Sequence, residues 1–579
     1  MGKFHELLGE LLIKRGIHTE AEADVFLNPD YERDIHDPFL MADMEKACVR
    51  IKSAIDKNQK IIVYADYDAD GIPGAVILHD FFEKLGFKNY EVYIPGRNSE
   101  GYGLNVEAIE GFKEQNVNLI ITVDLGITAI EEVALANSYG IDVIVTDHHI
   151  PHAELPNAFA ILNPKVDDPA NGASYPEKML CGAGVAFKLV QGFLAYAEAE
   201  KTKISSPAKL ASLKQSSASE ILFSLPPAGW EKWLLDMAGL ATLSDMVPLL
   251  GENRAIAYFG MKVLRKSPRP GLQKLLTKMN IDQRHLTEDD IGFMVTPRLN
   301  AASRMDNPMR AYELLSTTDI KEASVLADHL TKINDERKHI VLSIMKEVKH
   351  SFEKREMMDV VVIGNPKWKV GVLGLVAGKI MDEYERPVFV WAKDENDVIK
   401  GSCRSPGSVS VVELMTETKE YFLDFGGHEM AGGFTVHTEK IHFLEEALAE
   451  NFHKVKRPSD TQGISFDLSL DLSMVNKKNW QEISKMAPFG LGNPKPIFLF
   501  EQVKVVKAKS FGKNNSGEHL SITVSNSEGK EVEAIAFFSN TDSFEGDIFE
   551  GSYVNLYATF DLSRFRGREE LRLRIIDIL

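Results

Sequence analysis

Five short clusters, each at the end of an apolar run, hold the residues that could do chemistry. They are YADYDADG at 64–71, VDLG at 123–126, TDHH at 146–149, SDMVPL at 244–249, and a glycine-bracketed histidine in GGHEMAGGF at 426–434. Carboxylates and imidazoles gathered from separate strand ends are what a pair of divalent cations needs to hydrolyse a phosphoester. One carboxylate must touch both ions, and further carboxylates with one imidazole complete the shells while leaving places for water and phosphate oxygens. Asp124 is the candidate for the shared carboxylate. Taken singly, an aspartate after a strand serves equally well as a turn former or helix cap. Five clusters together, with His148 and His149 side by side after Asp147, are hard to explain by packing.

Such a ligand set needs strands to deliver it. IIVYA at 61–65, VYI at 92–94, LIITV at 119–123 and DVIVT at 142–146 alternate with helical-period stretches near 74–86, 105–115 and 128–139, the pattern of a parallel α/β sheet. Ligands bind beyond the carboxyl ends of such strands, where Asp66, Asp68, Asp70, Asp124 and the 147–149 trio fall. From 174 to 290 the pattern is helical, with Asp245 closing its second helix. The charge-laced stretch 318–356 has no Gly or Pro and carries Leu326, Leu330, Ile333, Ile340, Ile344 and Val348 in one stripe, which predicts a long connecting helix. An α/β pattern restarts over 360–456, and 464–579 is strand-rich after the short linker KRPSDTQG. The expected organisation is a catalytic domain over 1–317 (sheet core about 60–165, helical part about 174–317), a helix over 318–356, a second α/β domain over 357–457 and a β domain over 464–579.

At 579 residues and 44% hydrophobic composition, the chain can bury several cores. Its net charge of −19 weighs against a nucleic-acid binder, since affinity for a polyanion comes largely from Lys and Arg. A cation-holding cluster and an acidic outer face can both contribute that charge while a local basic groove guides a strand. Cys48, Cys181 and Cys403 are far apart without a CxxC pair, which suggests neither a disulfide framework nor a zinc ribbon and makes a reducing cytoplasm the default expectation. The start, MGKFHELLGELLIKRG, is too interrupted by charge for a secretory segment, Glu6 stands where a myristoylation motif wants Ser or Thr, and no apolar run is long enough to span a bilayer.

DYDADG, VDLG, DHH and the later aspartate resemble the DHH phosphoesterase superfamily. IPGRNSEGYGLN at 94–105, LCGAGVAFKL at 180–189, DMVPLLGENR at 245–254, PRLNAASRM at 297–305, GSCRS at 401–405, GGHEMAGGF and APFGLGNPKPIF at 487–498 narrow the resemblance to its RecJ single-strand-specific exonuclease family, from about residue 60 to the end. Pro73, Leu125 and Ser303 depart from the commonest form of these motifs, and none is a presumed ligand. The resemblance implies Asp66, Asp68, Asp124, His148 and Asp245 as metal ligands, with Asp70 either a ligand or an outer partner. Asp147 and His149 would orient His148 or the scissile phosphate, and Asp124, His148 and His149 would serve catalysis. It places Arg97, Ser402 and Arg404 near a 5′-phosphate pocket and Asn300 and Arg304 facing the active site, while His428 would lie on a phosphate path. Ordinary turn chemistry or a surface ion pair is the competing reading for these six.

The last domain resembles an oligonucleotide-binding (OB) barrel. Alternating Arg564, Arg566, Arg572 and Arg574 would share one strand face, with Phe511, Phe565 and Lys504, Lys507, Lys509 and Lys513 as further contacts. A solvated hairpin pairing its arginines with Glu569 and Glu570 is the bland alternative. A cytoplasmic location and, since the chain already supplies several lobes, a monomer are the default expectations, and the resemblance implies a 5′ to 3′ exonuclease of DNA repair and recombination. It would use two divalent cations, Mn2+ in preference to Mg2+, and act on single-stranded DNA beside a helicase and a single-strand-binding protein. Its rivals are a small-substrate enzyme of the same superfamily, which would lack the barrel, and a nonhydrolytic DNA-binding scaffold, which would have lost carboxylates.

Overall fold

The β-branched runs form five parallel strands: β1 (Ile61–Ala65), β2 (Tyr90–Tyr93), β3 (Leu119–Val123), β4 (Asp142–Thr146) and β5 (Ala160–Leu162), in the order β2-β1-β3-β4-β5. Every residue of β1 and β3 is buried, as expected of central strands covered on both faces. The order reverses between β1 and β3, so the connections from these two neighbours leave in opposite directions and open a crevice at their carboxyl ends. The computed structural model describes residues 5–97, 100–167, 172, 174–204, 224–353, 355–455, 465–512, 519–564 and 569–579. Its chain divides into two compact units: His36–Val247 with Phe259–Asp460, and Met1–Ile35 with Pro248–Tyr258 and Thr461–Leu579.

In the first unit the Gly71–Leu85 helix buries Ile72, Val76, Ile77, Phe81 and Phe82 and packs on the Gly182–Ile204 helix. The predicted connecting helix spans Ile320–Phe352, with the Asp319 carboxylate accepting from the amides of Lys321 and Glu322. Its stripe runs as expected through Leu326, Leu330, Ile333, Ile344 and Val348, but Val341 is buried where Ile340 is only half-buried. The stripe's second half joins the core of another sheet, with Val361, Leu373, Val376 and Val390. That sheet is β6 (Val361–Gly364), β7 (Val388–Lys393), β8 (Ile399–Arg404), β9 (Phe422–His428) and β10 (Ala431–Val436), ordered β6-β7-β8-β10-β9 and antiparallel beyond β7.

The second unit is a barrel of β12 (Phe498–Phe511), β13 (His519–Ser525), β14 (Glu531–Phe537), β15 (Tyr553–Ser563) and β16 (Glu570–Ile578), closed by β15 pairing with β12; the short β11 (Leu468–Ser469) adds to β12. Where the sequence reads as one catalytic stretch over 1–317, the first 35 residues and 248–258 group with this barrel. The Glu6–Lys14 helix contributes Leu7, Leu8, Leu11 and Leu12 to a core shared with Phe498, Phe500 and Val503. Arg15 secures it, donating to Asn493 Oδ1 and Asp467 Oδ1 at 3.2 Å and to the Pro494 carbonyl at 2.7 Å. Amphipathic spacing announces a helix but not a partner more than 450 positions away. No helix among the described residues is long and apolar enough to cross a membrane.

Candidate functional site

Asp66 leaves β1 with its amide bonded to the Val123 carbonyl. Two residues on, Asp68 Oδ1 accepts from the amides of Asp70 (2.8 Å) and Gly71 (3.2 Å), bracing the turn that enters the Gly71–Leu85 helix. The Ala69 amide is held by Asn300 Oδ1 at 2.8 Å. Asp70 turns inward: its two oxygens accept from the Gly182 and Ala183 amides at 2.6 and 2.7 Å, where the dipole of the Gly182–Ile204 helix favours an anion. At the end of β3, Asp124 sits in the left-handed region with φ 64°, strain that an ordinary turn would relieve with glycine or asparagine. Gly182 permits this, because a Cβ there would lie 2.5 Å from Asp124 Cβ.

Three groups of possible ligand atoms result, each with its atoms within 4.8 Å of one another: Asp66, Asp68 and Asp124; Asp70, His148 and Asp245; and Asp124, His148 and His149. Asp124 and His148 each belong to two. His148 Nε2 lies 3.1 Å from Asp124 Oδ1 and 3.8 Å from both Asp70 Oδ2 and Asp245 Oδ2. Yet Asp66 Oδ1 and Asp124 Oδ1 are buried without a hydrogen bond. Burial, then the charge of Asp68, lifts the Asp66 pKa well above the usual carboxylate range; burial, then Asp70, Asp68 and Asp66, does the same to Asp124. Burial and the neighbouring aspartates push Asp245 up to about 9 and Asp70 to about 6. His148 is depressed to about 3 by burial and then by the charge of His149, which keeps its imidazole neutral with a lone pair to give. Crowded carboxylates with orphaned oxygens around a neutral imidazole fit divalent cations, which would satisfy those oxygens and offset the repulsion.

The surrounding residues fix this loop. Burial opposes charge on both His149 and Asp147, but their 2.8 Å contact prevails, raising the pKa of His149 and lowering that of Asp147. Asp147 also accepts from the amides of Ile127 (2.9 Å) and His148 (2.7 Å).

A cationic rim adjoins the carboxylates. Arg97 lies 5.0 Å over the Tyr67 ring, and its charge partly opposes the rise of Asp66. Ser402 and Arg404 alternate on β8 over Gly374, where a Cβ would meet Arg404 Nη2 at 3.0 Å and Ser402 Oγ at 3.6 Å. Arg304 donates to the Gly371 carbonyl at 3.2 Å and is depressed to about 9 by burial and then by Arg97, Arg337 and Arg404, with Asp68 opposing. Among the described residues none of Arg97, Arg304 and Arg404 forms an ion pair. His428 is exposed at the end of β9 opposite Ala431, and no described contact brings it to the carboxylates.

Residues 60–217 match the family model described as DHH family, N-terminal domain; 357–454 match the DHHA1 domain and 466–577 the RecJ OB domain. The single-stranded-DNA-specific exonuclease RecJ of Bacillus subtilis is 34% identical over 574 residues, covering 99% of this chain and 67% of that one. The protein of the same name from Haemophilus influenzae is 30% identical over 583 residues, covering 99% of this chain and 96% of that one. The chain belongs to the RecJ family. The crystal structure of RecJ in complex with Mn2+ from Thermus thermophilus shares its fold, with a TM-score of 0.78 at 24% identity over 100% of this chain and 76% of that one.

Within this RecJ-family site the sequence reading passes over Tyr102, Asn163 and Lys165. The Tyr102 hydroxyl donates to the Asp124 carbonyl at 3.2 Å and lies 3.3 Å from His149 Nδ1. Asn163 Nδ2 donates to the His149 carbonyl at 3.0 Å, and Lys165 Nζ donates to the His148 carbonyl. The run LNPK holding the last two reads locally as a turn, so only the fold reveals what it clamps. The family's OB barrel presents Lys504 and Lys507 exposed on β12. Arg564 pairs with Glu569 at 3.2 Å, as the bland alternative expected, and Arg572 with Asp561 at 2.7 Å. Arg574 lies 5.5 Å from the Phe537 ring centroid, beside an aromatic cluster of Phe511, His519, Phe537 and Phe538, the last 85% exposed. Lys513, Phe565 and Arg566 lie outside the described residues.

Proposed function

We propose that the chain hydrolyses single-stranded DNA from its 5′ end, releasing 5′-mononucleotides, with two divalent cations, Mn2+ in preference to Mg2+, in the crevice between β1 and β3. The observation that carries this is the orphaned oxygens of Asp66 and Asp124 among crowded, buried carboxylates, beside arginines without ion pairs. Asp66, Asp68 and Asp124 would hold one cation, and His148, whose Nε2 lies 3.1 Å from Asp124 and 3.8 Å from Asp245, would hold the other with those two carboxylates, with Asp70 orienting the set from the helix terminus that occupies both its oxygens. When bound, the cations supply charge neutralisation on the phosphate oxygens and a lowered pKa for the attacking water. Mixed imidazole and carboxylate ligation favours Mn2+ somewhat; the Thermus thermophilus relative was crystallised with Mn2+ and with Mg2+.

The chain's own groups do the rest. Asp147 and His149 set the orientation of His148, while Lys165 and Asn163 hold the carbonyls of the same loop. Arg97, Arg304 and Arg404 with Ser402 would grip the 5′-phosphate, the guanidinium fork matching two of its oxygens. The retained carboxylates argue against a nonhydrolytic scaffold, and the terminal barrel against a small-substrate enzyme. Strands supplied by a helicase, a neighbouring single-strand-binding protein and a role in DNA repair and recombination complete the proposal on the strength of the family, with a monomer as the default for a chain of several lobes.

The test is incubation with Mn2+ and a 5′-phosphorylated, 3′-labelled single strand beside a matching blunt duplex. Progressive shortening of the single strand alone, with release of mononucleotides, is expected. Equal attack on the duplex, or none on either, overturns the reading.

A further inference from the structure

Two apolar side chains stand in solvent directly after cation-site residues. Ile150, which follows His149, is 66% exposed, and Met246, which follows Asp245, is 69% exposed. Among the described residues Met246 is the most exposed large apolar side chain of its unit. A lone apolar residue on a surface is ordinary, but Met246 is also held there under strain. The Leu235–Ser244 helix ends at Asp245, whose amide donates to the Ala241 carbonyl at 2.8 Å, and the next residue closes the turn with φ 56°. Glycine is the usual occupant of that left-handed position, since a side chain there crowds its own backbone. The turn hides an apolar side chain one residue further on, where Val247 is 5% exposed. A strained, exposed methionine beside a charged cluster therefore stands where packing alone would put glycine.

Position points to what covers it. Asp66 and Asp68 share a ligand group with Asp124, and Asp245 shares one with His148, but among the described residues no group joins Asp245 to Asp66 or Asp68. The arginine rim adjoins the first end, where Arg97 opposes the rise of Asp66 and Asp68 opposes the fall of Arg304. Ile150 and Met246 adjoin the other end, each one residue along the chain from His149 or Asp245. A strand with its 5′-phosphate at the rim and its next phosphate over the cations delivers its second nucleotide there. With that phosphate already engaged, what the nucleotide offers is the face of its base. A methionine thioether beside an isoleucine suits such a face, being apolar, polarisable and able to adapt to any of the four bases.

We propose that Met246, with Ile150, is the platform for the base immediately 3′ of the cut. This assignment rests on the exonuclease reading for its choice of ligand. Only a base that has left its partner and its stack can present a face to these side chains, so the platform adds to the preference for single strands over duplex. It serves specificity and not the chemical step, because neither side chain has an atom that takes or gives a proton.

The test uses the full chain with a 5′-phosphorylated thymidylate strand of about twenty nucleotides, and the same strand lacking the base of its second nucleotide or, as a control, of its sixth. Binding is read in EDTA and kcat/KM with Mn2+. The parent should favour the intact strand over the one abasic at the second nucleotide by about tenfold in both readings. In Met246→Gly that ratio should fall to near one while the ratio for the sixth nucleotide stays. Met246→Leu should restore it, and Ile150→Ala should lower it part of the way. Glycine suits the turn, so Met246→Gly should melt no lower than the parent, which separates a lost contact from a lost fold. No base dependence at the second nucleotide in the parent, or an unchanged ratio in Met246→Gly, overturns the platform. Equal weakening on all three strands in Met246→Gly overturns it too and assigns the pair to the strand's backbone. A parent that binds with this base dependence but hydrolyses no strand sinks the exonuclease reading and keeps the platform; hydrolysis of all three strands at equal kcat/KM does the reverse.

Discussion

The rim of the parallel sheet and the outer face of the barrel both gather charge, and they treat it in opposite ways. Around β1, β3 and β4 the carboxylates are buried among like neighbours, two of their oxygens are orphaned, and Asp124 is held in a strained conformation. On the barrel the charges are half or fully exposed, and two of the arginines, Arg564 and Arg572, already have carboxylate partners. Charge that the protein leaves unsatisfied at its own expense marks where a ligand must complete the structure; charge that the protein satisfies itself marks a surface that a ligand can only borrow. Changes at the rim should therefore act in an all-or-none manner, and changes on the barrel by degrees.

The largest effect is expected from Asp124→Asn, which removes the charge two cation places share while keeping the shape. Hydrolysis should fall at least about a thousandfold, the equivalent of about 4 kcal/mol of transition-state stabilisation; a loss under tenfold would contradict the shared role. Next comes pH. The raised pKa values of Asp66, Asp124 and Asp245 mean that in the cation-free protein the folded state binds protons that the unfolded chain releases. That stability is fully present below the ordinary carboxylate value of 3.8 and is lost as pH rises toward the folded value of about 9 for Asp245. The melting temperature in EDTA should accordingly fall from pH 5 to pH 9, and the gain on adding Mn2+ should grow by several degrees over the same range. A melting temperature that rises with pH in EDTA would break the comparison.

A smaller effect of the same origin is predicted for Asp245→Asn. Relief of repulsion should raise the cation-free melting temperature by an amount equivalent to about 1–2 kcal/mol while the Mn2+-dependent gain shrinks. The barrel should respond least. Arg574→Ala should weaken binding of a twenty-nucleotide strand by about threefold to tenfold and lower the salt slope by about one, with no change in melting behaviour against Mn2+. A hundredfold loss there would mean the barrel is not a borrowed surface.

These contrasts also explain what is legible in the chain. Strand ends carrying Asp66, Asp124 and 147–149 are readable because period, apolar runs and ligand chemistry agree over a few residues. Asp70 stays open between two roles in the sequence because its choice depends on amides more than a hundred positions away, at Gly182 and Ala183. Asn163 and Lys165 act through carbonyls brought alongside by β5, and Leu7, Leu8, Leu11 and Leu12 find the barrel only in three dimensions. Local pattern names an element's kind and inward face; it does not name the long-range partner.

The most direct test of the account is the number of Mn2+ ions bound per chain at neutral pH, measured by equilibrium titration of the intact protein and of Asp124→Asn. Two ions in the parent and no more than one in the variant is the result expected of a carboxylate shared between two cations. No ion in the parent, or two in the variant, would contradict it.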